Sequence, residues 1–106
     1  MQIELSGEVS DYIRALSSVT EKAQIAQYLD RQEELGYRLK IPVSKAIREG
    51  INEIRPGPHR LFFFYYQSRI MVIHAFRKKT QETPEREIKT AMHKRQMWRQ
   101  NHEKME

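Results

Sequence analysis

Apolar and polar positions change rhythm along the chain. Val9, Tyr12, Ile13 and Leu16 recur at the spacing of one helix face, and Ser17-Ser18 interrupts the stripe. Thr20, followed by Glu21, predicts the N-cap of a second helix carrying Ala23 or Ile25, Tyr28, Leu29 and Leu35, which Gly36 ends. Further on the period shortens. Three extended runs follow, Ile51 to Arg55, His59 to Gln67 and Ile70 to Phe76, rich in the aromatic and β-branched residues that suit a pleated surface. Pro56-Gly57-Pro58 and Ser68-Arg69 read as the turns between them, and Arg77-Lys78-Lys79 ends the third. In the second run Arg60, Phe62, Phe64 and Tyr66 share a face, opposite Leu61, Phe63 and Tyr65. In the third, Val72, His74 and Phe76 are expected on one face, with Met71, Ile73, Ala75 and Arg77 on the other.

Both sheet faces are largely apolar, so both need cover. The N-terminal helices supply one layer. A C-terminal helix supplies the other, or lies along the sheet edge. Thr83-Pro84 predicts its N-cap and first residue, with Glu85 and Glu87 in the first turn where the helix dipole favours them. Its stripe is thin (Ile88, Ala91, Met92, Arg95, Trp98), and its end after Asn101 is expected to fray. Gln2 to Leu5 reads as a short edge strand. Tyr37 to Ser44 reads as a connector, Lys45 to Ile47 as a strand fragment and Glu49-Gly50 as a turn. The expected fold class is α+β: two N-terminal helices packed on a small twisted, mostly antiparallel sheet, with a C-terminal helix. At 106 residues the chain is expected to form one domain, residues 1–106.

Charge narrows the partner. The net charge is +5, and from Arg77 onward nine Lys or Arg stand against five Asp or Glu, which favours a polyanion. The lack of cysteine removes disulfides and thiolate metal sites and suits a reducing compartment. No apolar run is long enough to span a membrane, and MQIELSGEV lacks the basic and apolar regions of a signal peptide, so a cytoplasmic location is expected.

If the runs pair as a meander, Arg55, His59, Arg60, Arg77, Lys78 and Lys79 gather near one end of a rigid sheet, where a phosphate-bearing partner would find them. No Gly-rich phosphate loop or nucleophile elbow is present. The four histidines lack metal-ligand spacing, so no metal or cofactor is expected. Arg, Lys and His can nonetheless cleave RNA by way of its own 2′-hydroxyl. That reaction needs a base, charge stabilisation of the crowded phosphate, and an acid for the leaving oxygen. A non-catalytic phosphate-binding patch fits the same residue types, and His74, in the middle of an apolar strand, suits a core position as well as a catalytic one.

PVSKAI, GINEIRPGPHRLFFFYY and IMVIHAFRKKTQETPEREIKTAMHKR together resemble the phage-derived, HigB-like branch of the RelE/ParE toxin superfamily, over roughly residues 9 to 97. The resemblance implies a RelE-like fold and the toxin of a type II toxin–antitoxin pair, held by a cognate antitoxin with a helix-turn-helix domain. Operator DNA would be reached only through that complex. The implied activity is metal-independent mRNA cleavage, on the ribosome in the usual case. Carried over, the strand arginine falls on Arg60 and the basic group on Arg77, Lys78 and Lys79. Arg60, Lys78 and Lys79, with His74 beside them, are then the catalytic candidates, and Arg55, His59, Arg77, Arg86 and Lys89 would bind RNA. Two departures stand out: the first strand is short or missing, and the C-terminal catalytic tyrosine of some members has no match. A gyrase-inhibiting toxin and a non-catalytic nucleic-acid or antitoxin-binding module are the alternatives.

Overall fold

In the computed structural model, which describes residues 1–103, the chain begins with a strand, β1 (Gln2–Leu5), and two helices, α1 (Gly7–Arg14) and α2 (Val19–Leu35). Four strands follow: β2 (Ser44–Arg48), β3 (Ile51–Ile54), β4 (His59–Tyr66) and β5 (Arg69–Arg77). The helix α3 (Glu85–Glu103) completes the fold. The sheet order is β1-β5-β4-β3-β2. β1 runs parallel to β5 and every other pair is antiparallel, so the short N-terminal strand is present and closes one edge. This is the α+β arrangement expected from the sequence. The expected fraying concerns residues 101–106; residues 101–103 continue α3, and the last three lie outside the described residues.

Local chemistry sets the boundaries. Ser6 caps α1 by accepting from the Val9 amide at 3.2 Å. Ser18, not Thr20, caps α2, accepting from the Glu21 amide at 3.1 Å. Thr83 does not cap α3; its hydroxyl faces Glu53 Oε2 at 3.5 Å. The hairpin between β4 and β5 turns at Gln67-Ser68, one residue earlier than expected. Both residues have positive φ (47° and 61°), the handedness that matches the strand twist.

Two apolar layers sandwich the sheet. Toward α1 and α2 lie Val9, Ile25, Ile54, Leu61, Phe63, Ile70 and Val72, and toward α3 lie Ile51, Phe62, Phe64, Met71, Ile73, Phe76, Ile88 and Ala91. The alternation in β4 is as expected, and that in β5 is not. The β4–β5 register steps from Phe62 opposite His74 to Phe63 opposite Val72, leaving Ile73 as an extra residue. This β-bulge flips the phase, so Ile73 and His74 both serve the α3 side and Val72 faces the helix pair. The bulge aims His74 at α3.

Candidate functional site

The site lies at the end of the sheet where β3 finishes, β4 begins and β5 runs out. Pro56-Gly57-Pro58 makes that end rigid. Gly57 has φ 57°, and a Cβ there would sit 2.7 Å from Gln24 Oε1. The Gly57 carbonyl accepts from Arg60 Nη1 at 2.7 Å, and the His59 carbonyl accepts from the same nitrogen at 2.8 Å. The Lys78 amide donates to the Pro58 carbonyl at 2.7 Å, which fastens the strand exit to the turn.

Arg60 is anchored from below. Its side chain is 10% exposed, and its Nε lies 3.7 Å from Oε1 of the fully buried Glu53, which Arg55 Nε approaches to 3.2 Å. Burial pulls the Arg60 pKa down and Glu53 pushes it back up, and the guanidinium stays charged. Lys78 is also pushed down from its ordinary value, first by desolvation and then by Arg60, with Arg55 and Lys45 adding to it. A lysine so placed releases a proton more readily than one in open solvent.

Two concavities flank the segment after β5. One, of about 460 Å³, is lined by Arg60, Lys78 and Lys79. The other, of about 590 Å³, is lined by Tyr12, His74, Arg77, Lys79, Arg86 and Glu87. Lys79 and Thr80 border both. Among the described residues, none forms an ion pair with Lys78, Lys79 or Arg86. Three uncompensated cations beside a buried guanidinium make a strong anion site.

Three candidates from the sequence sit elsewhere or behave otherwise. His59 is fully buried on the helix side, so its ring offers no surface contact to RNA. Its Nε2 lies 2.9 Å from Glu21 Oε1 and its Nδ1 2.7 Å from the Tyr12 hydroxyl. His74 is packed beneath α3, with Nε2 2.9 Å from Glu87 Oε1 and Nδ1 2.9 Å from Lys94 Nζ. Burial holds its pKa below the usual histidine value, opposed by Glu87 and assisted by Lys94. Lys89 lines a separate hollow on the outer side of α3 with Arg95 and Arg99, away from the cluster. Arg77 stays at the site, although its charge is shared with Glu21 at 2.7 Å.

The sequence reading passed over Tyr12, Glu21, Glu53 and Lys45. Tyr12 read as part of a core stripe and Glu21 as a dipole-favoured residue at a helix start. Their site contacts lie 47 and 38 residues away along the chain, beyond any local signal. Lys45 is drawn in by β2–β3 register, which sets it opposite Glu53. Among the described residues no group of acidic or histidine side chains is placed to hold a metal ion, and no helix is long and apolar enough to cross a membrane.

Comparison with curated proteins finds no match. Residues 11–96 match the family described as phage-derived protein Gp49-like (DUF891), so the chain belongs to that family, whose RelE-type toxin character agrees with the motifs of its last two strands.

Proposed function

We propose that this protein is the toxin of a type II toxin–antitoxin pair and that it cleaves mRNA, on the ribosome, in the cytoplasm. The observation that carries this reading is the cluster of Arg60, Lys78, Lys79 and Arg86 around adjoining concavities at one sheet end, with no carboxylate pairing the last three among the described residues. Such a site matches the crowded, doubly charged phosphate that forms when a 2′-hydroxyl attacks its neighbouring phosphodiester. The nucleophile is internal to RNA, so the reaction needs only a base, an acid and charge stabilisation. Arg60, fixed by two carbonyls and Glu53, stabilises the phosphate, and its planar donors match phosphate oxygens. Lys78 and Lys79 neutralise charge and move protons. Arg55, Arg77 and Arg86 hold backbone phosphates, contacts that weaken as salt rises. His59 and Lys89 leave the list of direct RNA contacts, and His74 becomes a structural group. The neutralising partner is an antitoxin with a helix-turn-helix domain, through which the pair would reach operator DNA.

Primer extension on a translated message tests this reading. Wild-type protein should give discrete new 5′ ends. Arg60→Ala should lower cleavage roughly 10²–10³-fold. Lys79→Ala, a surface change that leaves the core intact, should lower it by a smaller factor. Uncut message with wild-type protein would sink the nuclease reading, and altered DNA supercoiling in a gyrase assay would favour the gyrase-inhibiting alternative.

A further inference from the structure

The cleft beside Arg77 and Arg86 contains a proton path that the basic cluster does not use. It runs from the half-buried Tyr12 on α1, through His59 at the start of β4, to Glu21 on α2. Glu21 also accepts from Arg77 Nη2 at 2.7 Å, so α1, α2, β4 and β5 all contribute. Tyr12 and Glu21 are the titratable groups that touch the His59 ring, and Arg77 reaches it through Glu21.

The hydrogen-bond chemistry fixes the direction of this path. Arg77 and then His59 hold the Glu21 carboxyl below its ordinary range, so it is ionised and can only accept. His59 Nε2 must therefore carry the proton that it shares with Glu21. In the neutral ring Nδ1 is then bare, and it accepts from the Tyr12 hydroxyl at 2.7 Å. The tautomer is thus assigned from the network. Tyr12 also lines the cleft, together with Arg77, Lys79 and Arg86. A hydroxyl whose proton is directed at a buried imidazole, itself oriented by a carboxylate, has the arrangement of an activated acid–base group. Packing alone would be satisfied by a phenylalanine on α1 and an apolar residue at the start of β4.

Resting on the nuclease reading, we propose that Tyr12 is the general base of RNA cleavage, with His59 as its proton acceptor and Glu21 as a positioning residue. The 2′-hydroxyl proton passes to the Tyr12 oxygen while the Tyr12 proton passes to His59 Nδ1. The 2′-oxygen bonds to phosphorus, the bond from phosphorus to the 5′-oxygen breaks, and the Lys79 ammonium protonates the departing 5′-oxygen. The products are a 2′,3′-cyclic phosphate and a 5′-hydroxyl. Glu21 stabilises the imidazolium that forms, and solvent later takes the added proton from His59 and returns one to Lys79.

The test is a rate profile against pH for message cleavage in a reconstituted translation mixture. Tyr12→Phe and His59→Gln are compared with wild type. Tyr12→Phe keeps the ring, and the glutamine amide of His59→Gln can accept from the Tyr12 hydroxyl but cannot take up its proton. The wild-type rate should fall toward acid, because a ring carrying protons on both nitrogens has no lone pair with which to accept the Tyr12 proton. Each variant should lose roughly 10²-fold or more at neutral pH, and the acid limb should disappear. Should Tyr12→Phe not fold, His59→Gln alone carries the comparison. Variants that cut within about threefold of wild type, or that cut slowly with the acid limb intact, would overturn the relay and leave the nuclease reading standing. Wild-type protein that cuts nothing would overturn both.

Discussion

The molecule carries two buried histidines on opposite faces of one sheet, and they differ in the kind of group that meets one ring nitrogen. His59 faces α1 and α2, and His74 faces α3. Each sets Nε2 at 2.9 Å from a glutamate, Glu21 for one and Glu87 for the other. The difference lies at Nδ1. His59 meets the neutral Tyr12 hydroxyl at 2.7 Å, whereas His74 meets the Lys94 ammonium at 2.9 Å, itself tied to Glu8 at 2.6 Å. Burial first, and then the ammonium beside Nδ1, hold the His74 pKa below its ordinary value, and that ammonium is itself engaged in an ion pair with Glu8. A hydroxyl at Nδ1 gives the His59 ring an uncharged donor instead, and through Tyr12 it links the ring to the cleft that His74 itself lines. Burial and a carboxylate partner therefore do not distinguish a structural histidine from a reactive one; the chemistry of the second ring nitrogen does.

The largest test of that contrast is stability. His74→Ala removes a ring packed against Phe62 and Phe76 and strands Glu87 and Lys94, and it should cost about 3 kcal/mol. In a domain of this size that corresponds to a loss of roughly 10–20 °C in Tm by calorimetry. Cleavage per folded molecule should stay within a few-fold of wild type. A His74→Ala protein that folds normally but is inactive would contradict the structural assignment of this histidine.

The second test uses pH. His74 is held below its ordinary 6.5, chiefly by burial, so below that value the unfolded chain binds more protons than the native one. Its stability contribution is complete above pH 6.5 and is lost as pH falls through the depressed value in the fold. Glu8, Glu21 and Glu85 are all lowered from 4.5 by basic partners, so their contributions are lost only below that value. Urea midpoints should decline in two stages, and His74→Phe should remove the first. A first stage that persists in His74→Phe would assign it to another group.

How much of this contrast was legible follows from the range of the signals. Strand identity, both apolar layers and the gathering of Arg55, Arg60, Lys78 and Lys79 at one sheet end depend on period-two alternation and turn residues, which are local. The facing of His74 depends on a bulge at Ile73, a register defect between two strands that alternation within one strand cannot reveal. Arg77 looks as available as Lys78 in the sequence; only the packing of α2 brings Glu21 to it. His59 looked like part of the basic rim because it adjoins Arg60. In a strand, however, neighbours point to opposite faces, and the same alternation that placed Arg60 at the site turned His59 into the helix layer.

Lys94→Met gives a smaller effect and a sharper one. It removes the cation from Nδ1 while its unbranched side chain retains the packing of the lysine stem. The Lys94 charge lowers the His74 pKa, so without it that pKa should rise and the first acid stage should become shallower, as read from the same urea midpoints. An unchanged first stage would mean that desolvation alone sets the ring's charge, and the contrast with His59 would lose its electrostatic part.

The smallest expected effect is at the end of the same chain of contacts. Glu8 is 72% exposed, and its contact with Lys94 Nζ at 2.6 Å joins the first turn of α1 to α3. An exposed ion pair of this kind contributes little, because water and salt screen the charges and two side chains lose freedom in forming it. Glu8→Gln should therefore cost under about 0.5 kcal/mol, and added salt should shrink the difference further. Its use lies in sign. Without Glu8 the Lys94 charge acts undiminished on His74, and Glu8 itself no longer raises that pKa, so the His74 pKa should fall further and the first acid stage should steepen slightly. Glu8→Gln and Lys94→Met thus move one titration in opposite directions from opposite ends of one ion pair. Shifts of the same sign in both would show that Lys94 acts on His74 through packing and not through its charge.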